Sequence, residues 1–277
     1  MSIKCQHFKR IIICSVVIDI ERFKKNVINL RNGKGILIEY HTWHNKPKQG
    51  INIPPPVFYN QVLSKYRIDS SIHPENDWLL FIHDDLIFKS KVDVLFETLV
   101  RHSSKANRIF GLLGAASDGA ARKWFGSWRH RKIINSPDIV TATEVDTVDS
   151  MCLFVRGDVV LEYSSLIFDT RFNWHLYVED FCLALKRLSV PIFVLPSIQY
   201  EHRSDGEVRF DYLFLQTILS SKMRKKERLL GRKPRQYWGT CGRIGARNGN
   251  EWGYIAYLCD LLLAVFKCVR PRNRRSY

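Results

Sequence analysis

The sequence predicts an α/β chain: a mostly parallel central sheet flanked by helices, followed by a basic helical C-terminal extension. Three observations carry this expectation. Residues 78–82, Trp-Leu-Leu-Phe-Ile, form an unbroken apolar run, which is how a strand covered on both faces reads. From Lys9 to Leu195, short apolar runs alternate with segments of helical spacing, the order of βαβ units. The cationic excess gathers in the last quarter and sets residues 211–277 apart from residues 1–210.

The elements follow in order. Lys9 to Ile18 reads as a first buried strand. Asp19 to Leu30 has helical spacing, with Asp19 as N-cap and Ile20, Phe23, Val27 and Leu30 on one face. Gly33 and Gly35 end that helix and Ile36 to Tyr40 reads as a second strand. Residues 41–56, with His41, His44 and three consecutive prolines, read as a loop. Val57 to Tyr66 is a helix started by Pro56. After the central run, Val92 to His102 reads as a helix and Arg108 to Ala116 as a strand. Residues 117–143 mix Gly, Ser, Trp and basic side chains and read as a substrate loop or an ordinary surface excursion. Glu144 to Val155 reads as one strand, Glu179 to Leu188 as a helix, and Val190 to Leu195 as a strand. Asp211 to Met223 and Gly253 to Val269 are the last two helices. The second of these carries an apolar face beside basic flanks, and docks on the domain or lies in a membrane interface.

A chain of 277 residues accommodates one large domain with a smaller appendage, drawn here as 1–210 and 211–277. Hydrophobic content of 45% with 12% aromatics excludes a disordered polar chain. Seven cysteines form no CxxC pair, which favours buried free thiols in a reducing compartment over disulfides or zinc. The apolar run 11–18 has no small-residue cleavage site and reads as a strand rather than a signal peptide. No apolar stretch reaches the ~20 residues of a spanning helix. The formal net charge of +16 points to polyanionic partners: nucleic acid, anionic lipid or phosphorylated small molecules. Lys222 to Arg235 alone holds eight Lys/Arg against one Glu.

Two constellations carry chemistry. The apolar run 78–82 breaks into His83-Asp84-Asp85, and open α/β sheets bind ligands at that end of their strands. Oxygen ligands there suit Mg²⁺ or Mn²⁺ held together with substrate phosphates; a solvated acidic turn is the alternative on this stretch alone. The second runs Phe168-Asp-Thr-Arg-Phe172, then Trp174-His-Leu-Tyr-Val-Glu-Asp180. Glu179 and Asp180 sit at a helix start, where the macrodipole by itself explains carboxylates. His202 follows Asp180 by about one helix and one strand, so the chain can return it to the same sheet edge.

Together, the apolar strand with its acidic end, the block HLYVEDFCLALKRLSVPIFVLP and the trailing YEHRS resemble glycosyltransferases of the GT-A fold, near family 2. The resemblance covers roughly residues 9–206 and implies a Rossmann-like nucleotide-sugar-binding domain. In that family the strand-end motif is Asp-x-Asp and binds a divalent cation that bridges the donor diphosphate. Asp85 matches the second acid, His83 stands in place of the first, and Asp84 is left a supporting role at the nucleotide. By the same resemblance Asp180, beside Glu179, matches the catalytic base of inverting members. His202 matches a histidine that completes the metal shell, so the implied ligand set is His83, Asp85 and His202 around Mn²⁺ or Mg²⁺. Trp174 and His175 would lie against a sugar, and Glu39 is the nearest match to the uridine-binding acid after the second strand.

The implied activity is inverting, metal-dependent transfer of a sugar from a nucleoside-diphosphate donor to a hydroxyl of a glycan or lipid-linked acceptor. The basic tail would attach the enzyme peripherally to an anionic cytoplasmic membrane face. A sugar nucleotidyltransferase would need a glycine-rich basic loop after the first strand, and Val17-Ile-Asp-Ile-Glu21 has none. A nucleic-acid-binding module would place its charge around an aromatic sheet face rather than in a tail. A catalytically degenerate relative is the third alternative, raised by His83. His41 and His44 read as surface histidines, Asp146 and Asp149 as a solvated turn or acceptor contacts, and Asn60 as a polar contact between helix and sheet.

Overall fold

The computed structural model describes residues 9–31, 33–69, 71–118, 121–125, 127–129, 132–134, 141–203, 210–231, 236–239 and 242–245. The central strands are β1 (Lys9–Val17), β2 (Ile36–His44), β3 (Asp77–Ile82), β5 (Ile109–Gly111), β10 (Thr143–Val145), β12 (Cys152–Arg156) and β13 (Ile192–Val194). Between them in the chain lie β4 (Leu86–Phe88), β6 (Gly114–Asp118), β7 (Ala121–Phe125), β8 (Ser127–Arg129), β9 (Lys132–Ile134) and β11 (Thr147–Val148). After them come β14 (Tyr200–Arg203), β15 (Gln236–Gly239) and β16 (Gly242–Gly245). The helices are α1 (Ile20–Asn26), α2 (Pro55–Ile68), α3 (Val92–His102), α4 (Gly157–Glu162), α5 (Tyr177–Arg187) and α6 (Phe210–Leu229).

The fold is α/β around a seven-stranded sheet of order β10-β13-β5-β12-β3-β1-β2. The pairs β1–β2, β1–β3 and β5–β13 are parallel, whereas β12 runs against both β3 and β5, and β10 runs against β13. Side chains of successive strand residues point to opposite faces, and the core divides accordingly. Ile12, Cys14, Leu79, Phe81, Leu153 and Val155 join α2, α4 and α5 on one face. Ile11, Ile13, Trp78, Leu80, Ile82 and Phe154 join α1 and α3 on the other. All six residues of β3 are buried, as the unbroken apolar run anticipates.

Several elements differ from the sequence reading, each for a local reason. Strand β2 continues through His44, because an edge strand tolerates the polar alternation that reads as loop. The expected single strand 108–116 is two, β5 in the main sheet and β6 in a smaller one. A Cβ on Gly111 would lie 2.4 Å from Val148 Cβ, so β11 packs directly on that backbone and the chain leaves the sheet there. The expected strand 144–155 is three, β10, β11 and β12, broken at Asp146 and at Asp149 to Met151. Within 117–143 lie three short strands, β7 to β9; β7 pairs antiparallel with β6, and β8 with β9. Tyr212, Leu219 and Met223 of α6, within the stretch drawn as the appendage, are buried in the same core cluster as α2 and α5. The expected helix 253–269 lies outside the described residues. No helix among the described residues is long and apolar enough to cross a membrane.

Candidate functional site

Strand β3 ends at Ile82, and the His83 amide donates to the Met151 carbonyl at 3.0 Å, which ties this end to the turn before β12. The chain then tightens, Leu86 N donating to His83 O at 3.3 Å, and enters β4. Strand β4 pairs antiparallel with β14 in a register that sets Leu86 opposite His202. That register brings Asp85 beside His202 although 117 residues separate them in the chain; His202 Nε2 lies 3.1 Å from Asp85 Oδ1. The His83 and His202 rings lie 5.7 Å apart between centroids. One donor atom each from His83, Asp85 and His202 falls within 4.8 Å of the others. Donors about 2.1 Å from a common ion lie at most about 4.2 Å apart, so the three would close in slightly on a bound cation.

Asp84 and Asp85, adjacent in sequence, do different work. Asp84 Oδ2 accepts from the Ile18 amide and from Arg22 Nη2, both at 2.9 Å, and its carbonyl accepts from Asn26 Nδ2 at 2.8 Å. It pins the end of β3 to the end of β1 and to α1, and its charge is spent inside the protein. Asp85 faces the imidazoles. Burial pushes its carboxyl up, but the hydrogen bond and charge of His202 and then the charge of His83 outweigh this, and the net shift is down. Burial opposes the charge on His202, while the hydrogen bond and charge of Asp85 raise it above the ordinary histidine value. His83 is lowered, first by burial and then by the positive His202, against the pull of Asp85, Asp149 and Asp84.

Two further groups close this site. Tyr177 Oη lies 3.2 Å from His83 Nε2, within reach also of Ser150 and Tyr59. Burial pushes the Tyr177 phenol up, and the charges of Glu179 and Asp149 add to it, so it stays protonated. Asp149 acts electrostatically on His83, His202 and Tyr177. Its Oδ1 accepts from the Met151 amide at 2.9 Å. Leu176, the N-cap of α5, holds φ at 63°, an uncommon left-handed geometry for leucine that turns Tyr177 toward the sheet edge.

One helical turn beyond Tyr177, Asp180 is 2% exposed. Lys222 of α6 reaches it, Nζ lying 2.6 Å from Oδ1 and 2.7 Å from Oδ2. The same ammonium lies 2.7 Å from Asp169 Oδ2. Arg171 Nε lies 2.9 Å from Asp169 Oδ1. Burial raises the Asp180 carboxyl; Lys222, by charge and hydrogen bond, pulls it back, and the net direction is upward. Asp169 is held well below the usual range, by Arg171 first and by Lys222 against its burial. Asn60 Nδ2 donates to Phe168 O and Asn60 Oδ1 accepts from Phe168 N, both at 2.8 Å, so that residue fixes the segment carrying Asp169.

Of the expected site residues, His83, Asp85 and His202 come together, with Asp84 adjacent but turned away. Glu179 is buried beside Asp180. Trp174 is 37% exposed, and the His175 ring meets Tyr212 of α6 edge-on at 5.7 Å. Glu39 stands elsewhere: it accepts from Arg10 Nη1 at 3.3 Å, and Arg10 also holds Asp69 and Asp77. Asp77 opens β3 and Ile82 ends it, so roughly 17 Å of strand separates that ion-pair cluster from the triad. His41 Nε2 lies 3.6 Å from Glu39 Oε2 at the same place. Tyr177, Lys222 and Asp169 were not among the expected residues. The helical spacing of Tyr177 to Asp180 is a signal for the first; Lys222 is indistinguishable in sequence from the basic run around it.

No family model matches the chain, and no curated protein matches it. Among solved structures, protein A197 from STIV superposes over 71% of this chain and 86% of its own length, at 12% identity and a TM-score of 0.38. Likeness of that degree carries no conclusion about chemistry.

Proposed function

We propose that this protein is a divalent-cation-dependent, inverting glycosyltransferase that moves a sugar from a nucleoside-diphosphate donor to an acceptor hydroxyl. The observation that carries the reading is the triad His83, Asp85 and His202 at the C-terminal end of β3, where α/β sheets bind ligands. The donor set fits a divalent ion: one carboxylate held ionised and two imidazoles, His83 just past the end of β3 and His202 on β14. Two nitrogen donors fit Mn²⁺ better than Mg²⁺, which takes oxygen ligands. A bound cation would neutralise the leaving diphosphate as a Lewis acid.

The chain's own residues supply the rest. Asp180 takes the proton of the acceptor hydroxyl; the acceptor oxygen bonds to the anomeric carbon as the bond to the phosphate oxygen breaks, and the diphosphate leaves with the electron pair. General-base help of this kind is worth roughly 10²- to 10⁴-fold. Tyr177 orients the His83 imidazole. A lipid-linked acceptor and a peripheral position on an anionic membrane are supported by the end of α6, where Arg224, Lys225 and Arg228 lie beside Leu229 and Leu230, 76% and 54% exposed.

The test is thermal stabilisation by UDP, GDP, CMP and dTDP, each with and without Mn²⁺, on wild type, Asp85→Ala and His202→Ala. One nucleotide should stabilise wild type only with Mn²⁺ and neither variant. Nucleotide stabilisation that survives in both variants, or none in wild type, overturns the reading.

A further inference from the structure

The Phe168 to Phe172 segment and the first basic residue of the 222–235 run meet in three dimensions. Lys222 comes from a helix that begins at Phe210, yet its ammonium is seated between two carboxylates, Asp180 and Asp169. Its stem runs past Phe172, Nζ lying 5.5 Å from the ring centroid, and its side chain is 15% exposed. Asp169 is in turn gripped by Arg171. We propose that Lys222 is a positioning residue for Asp180: it keeps a buried carboxylate ionised and aimed, ready to accept a proton from the acceptor. The inference rests on the transferase reading, which assigns the base role to Asp180.

The physical case starts from burial. A carboxylate with almost no access to water favours its protonated form, and a protonated Asp180 cannot act as a base. The groups facing it are Lys222 and Lys226 from α6, Arg187 and Cys182 from α5, and Asp169 and Arg171 from the preceding segment. Among the cations of the described residues, Lys222 is the one in direct contact with it. Asp169 works against ionisation of Asp180 by its charge, but it also gives Lys222 a second seat. An ammonium has three hydrogens to donate. Lys222 can therefore release one Asp180 oxygen to an entering hydroxyl while it remains bound to Asp169. Arg171, by fixing Asp169, fixes that second seat.

The experiment follows the carboxyl of Asp180 directly. The full chain, labelled with ¹³C at aspartate carboxyls, is titrated by NMR, with the Asp180 signal assigned by its loss in Asp180→Asn. Removal of an opposite charge in contact is expected to raise the Asp180 midpoint by about 1–3 pH units in Lys222→Met, and Lys222→Arg should restore most of the wild-type value. In parallel, Mn²⁺-dependent hydrolysis of UDP-glucose, GDP-mannose and dTDP-glucose is followed against pH, with water as acceptor. The acid limb of the rate should move upward with the Asp180 midpoint. An Asp180 midpoint unchanged in Lys222→Met overturns the proposal. So does a shifted midpoint with an unshifted acid limb, the behaviour of a strut that merely braces α6. If Lys222→Met does not fold, Lys222→Gln, which keeps hydrogen bonds without charge, takes its place in both measurements. Absence of hydrolysis in wild type with each of these donors removes the transferase reading, and the carboxyl titration then decides by itself whether Lys222 holds Asp180 ionised.

Discussion

Asp84 and Asp85 differ in nothing but position, yet one binds the scaffold and the other faces two imidazoles. Their variants should therefore separate cleanly. Asp84→Ala leaves the Ile18 amide and Arg22 without their acceptor and should cost about 1–3 kcal/mol of stability in denaturant unfolding, while Mn²⁺ affinity is kept. Asp85→Ala should lose Mn²⁺ affinity by at least about tenfold in calorimetric titration. Equal metal affinity in the two variants would break the distinction. In the metal-free protein His202 and Asp85 both make stability depend on pH. His202 is raised in the fold, so its contribution is full below the ordinary value of about 6.5 and is lost as pH rises through its folded value. Asp85 is lowered, so its contribution is full above about 4 and is lost as pH falls through its folded value. The pair is worth most between those limits, and His202→Gln should flatten the fall in melting temperature above about pH 6.5. His83, lowered in the fold first by burial and then by the positive His202, changes its contribution only below about 6.5, outside the range of that comparison. At this scale the sequence was partly legible. The string His-Asp-Asp after an apolar run announces a strand end with ligand types, but which acid turns inward depends on the β4–β14 register. Glu39 illustrates the limit: an acid on the second strand is easy to find, and only the fold shows that Arg10 holds it.

At the scale of the element, α6 is the lesson. Its sequence reads as a basic appendage because buried Gln216, Ser220 and Glu227 interrupt the apolar stripe that would mark a docked helix. In the fold it buries Leu219 and Met223 in the main core and brings Lys222 to two acids. Breaking a buried ion pair by removing one partner costs about 3–5 kcal/mol, and each buried apolar side chain adds roughly 1.5–3 kcal/mol. Against a typical total of ~5–15 kcal/mol, a chain ending at residue 209 should not show a cooperative thermal transition by circular dichroism. A sharp melt within a few degrees of the full chain would mean that α6 is dispensable. The strands were legible in proportion to their burial: β3 stands out as an apolar run, while 144–155 reads as one strand because nothing local signals that Asp146 N bonds Ala115 O and Asp149 N bonds Leu113 O. Those bonds are made to a neighbouring segment, and pairing of that kind is not written in periodicity.

The whole molecule carries +16 charges, with the cations of the last quarter beginning on a helix that also presents exposed leucines. Each cation near an anionic surface is worth about 1 kcal/mol, screened over about 10 Å at 0.1 M salt. Cosedimentation with phosphatidylserine-containing vesicles should therefore be strong at low salt and fall steeply by roughly 0.5 M, where screening is short. Arg224→Glu with Arg228→Glu should weaken it further at every salt concentration. Retention that ignores salt and these changes would assign attachment to something other than charge.

The strand order has a consequence for how the chain is born. Strands β1, β2 and β3 with α1 and α2 are complete once Ile82 has left the ribosome, but the other edge of β3 is reserved for β12, which begins only at Cys152. Throughout the synthesis of the intervening segment, a strand that is buried along its whole length in the finished fold keeps one row of backbone donors and acceptors unpaired, a state prone to pairing with a neighbouring nascent chain. Because β12 enters antiparallel, no earlier strand of the same direction can substitute for it without misaligning His83 from Met151. A chain stopped before Cys152 should therefore aggregate more readily than one extended through Arg156, which supplies the missing partner of β3.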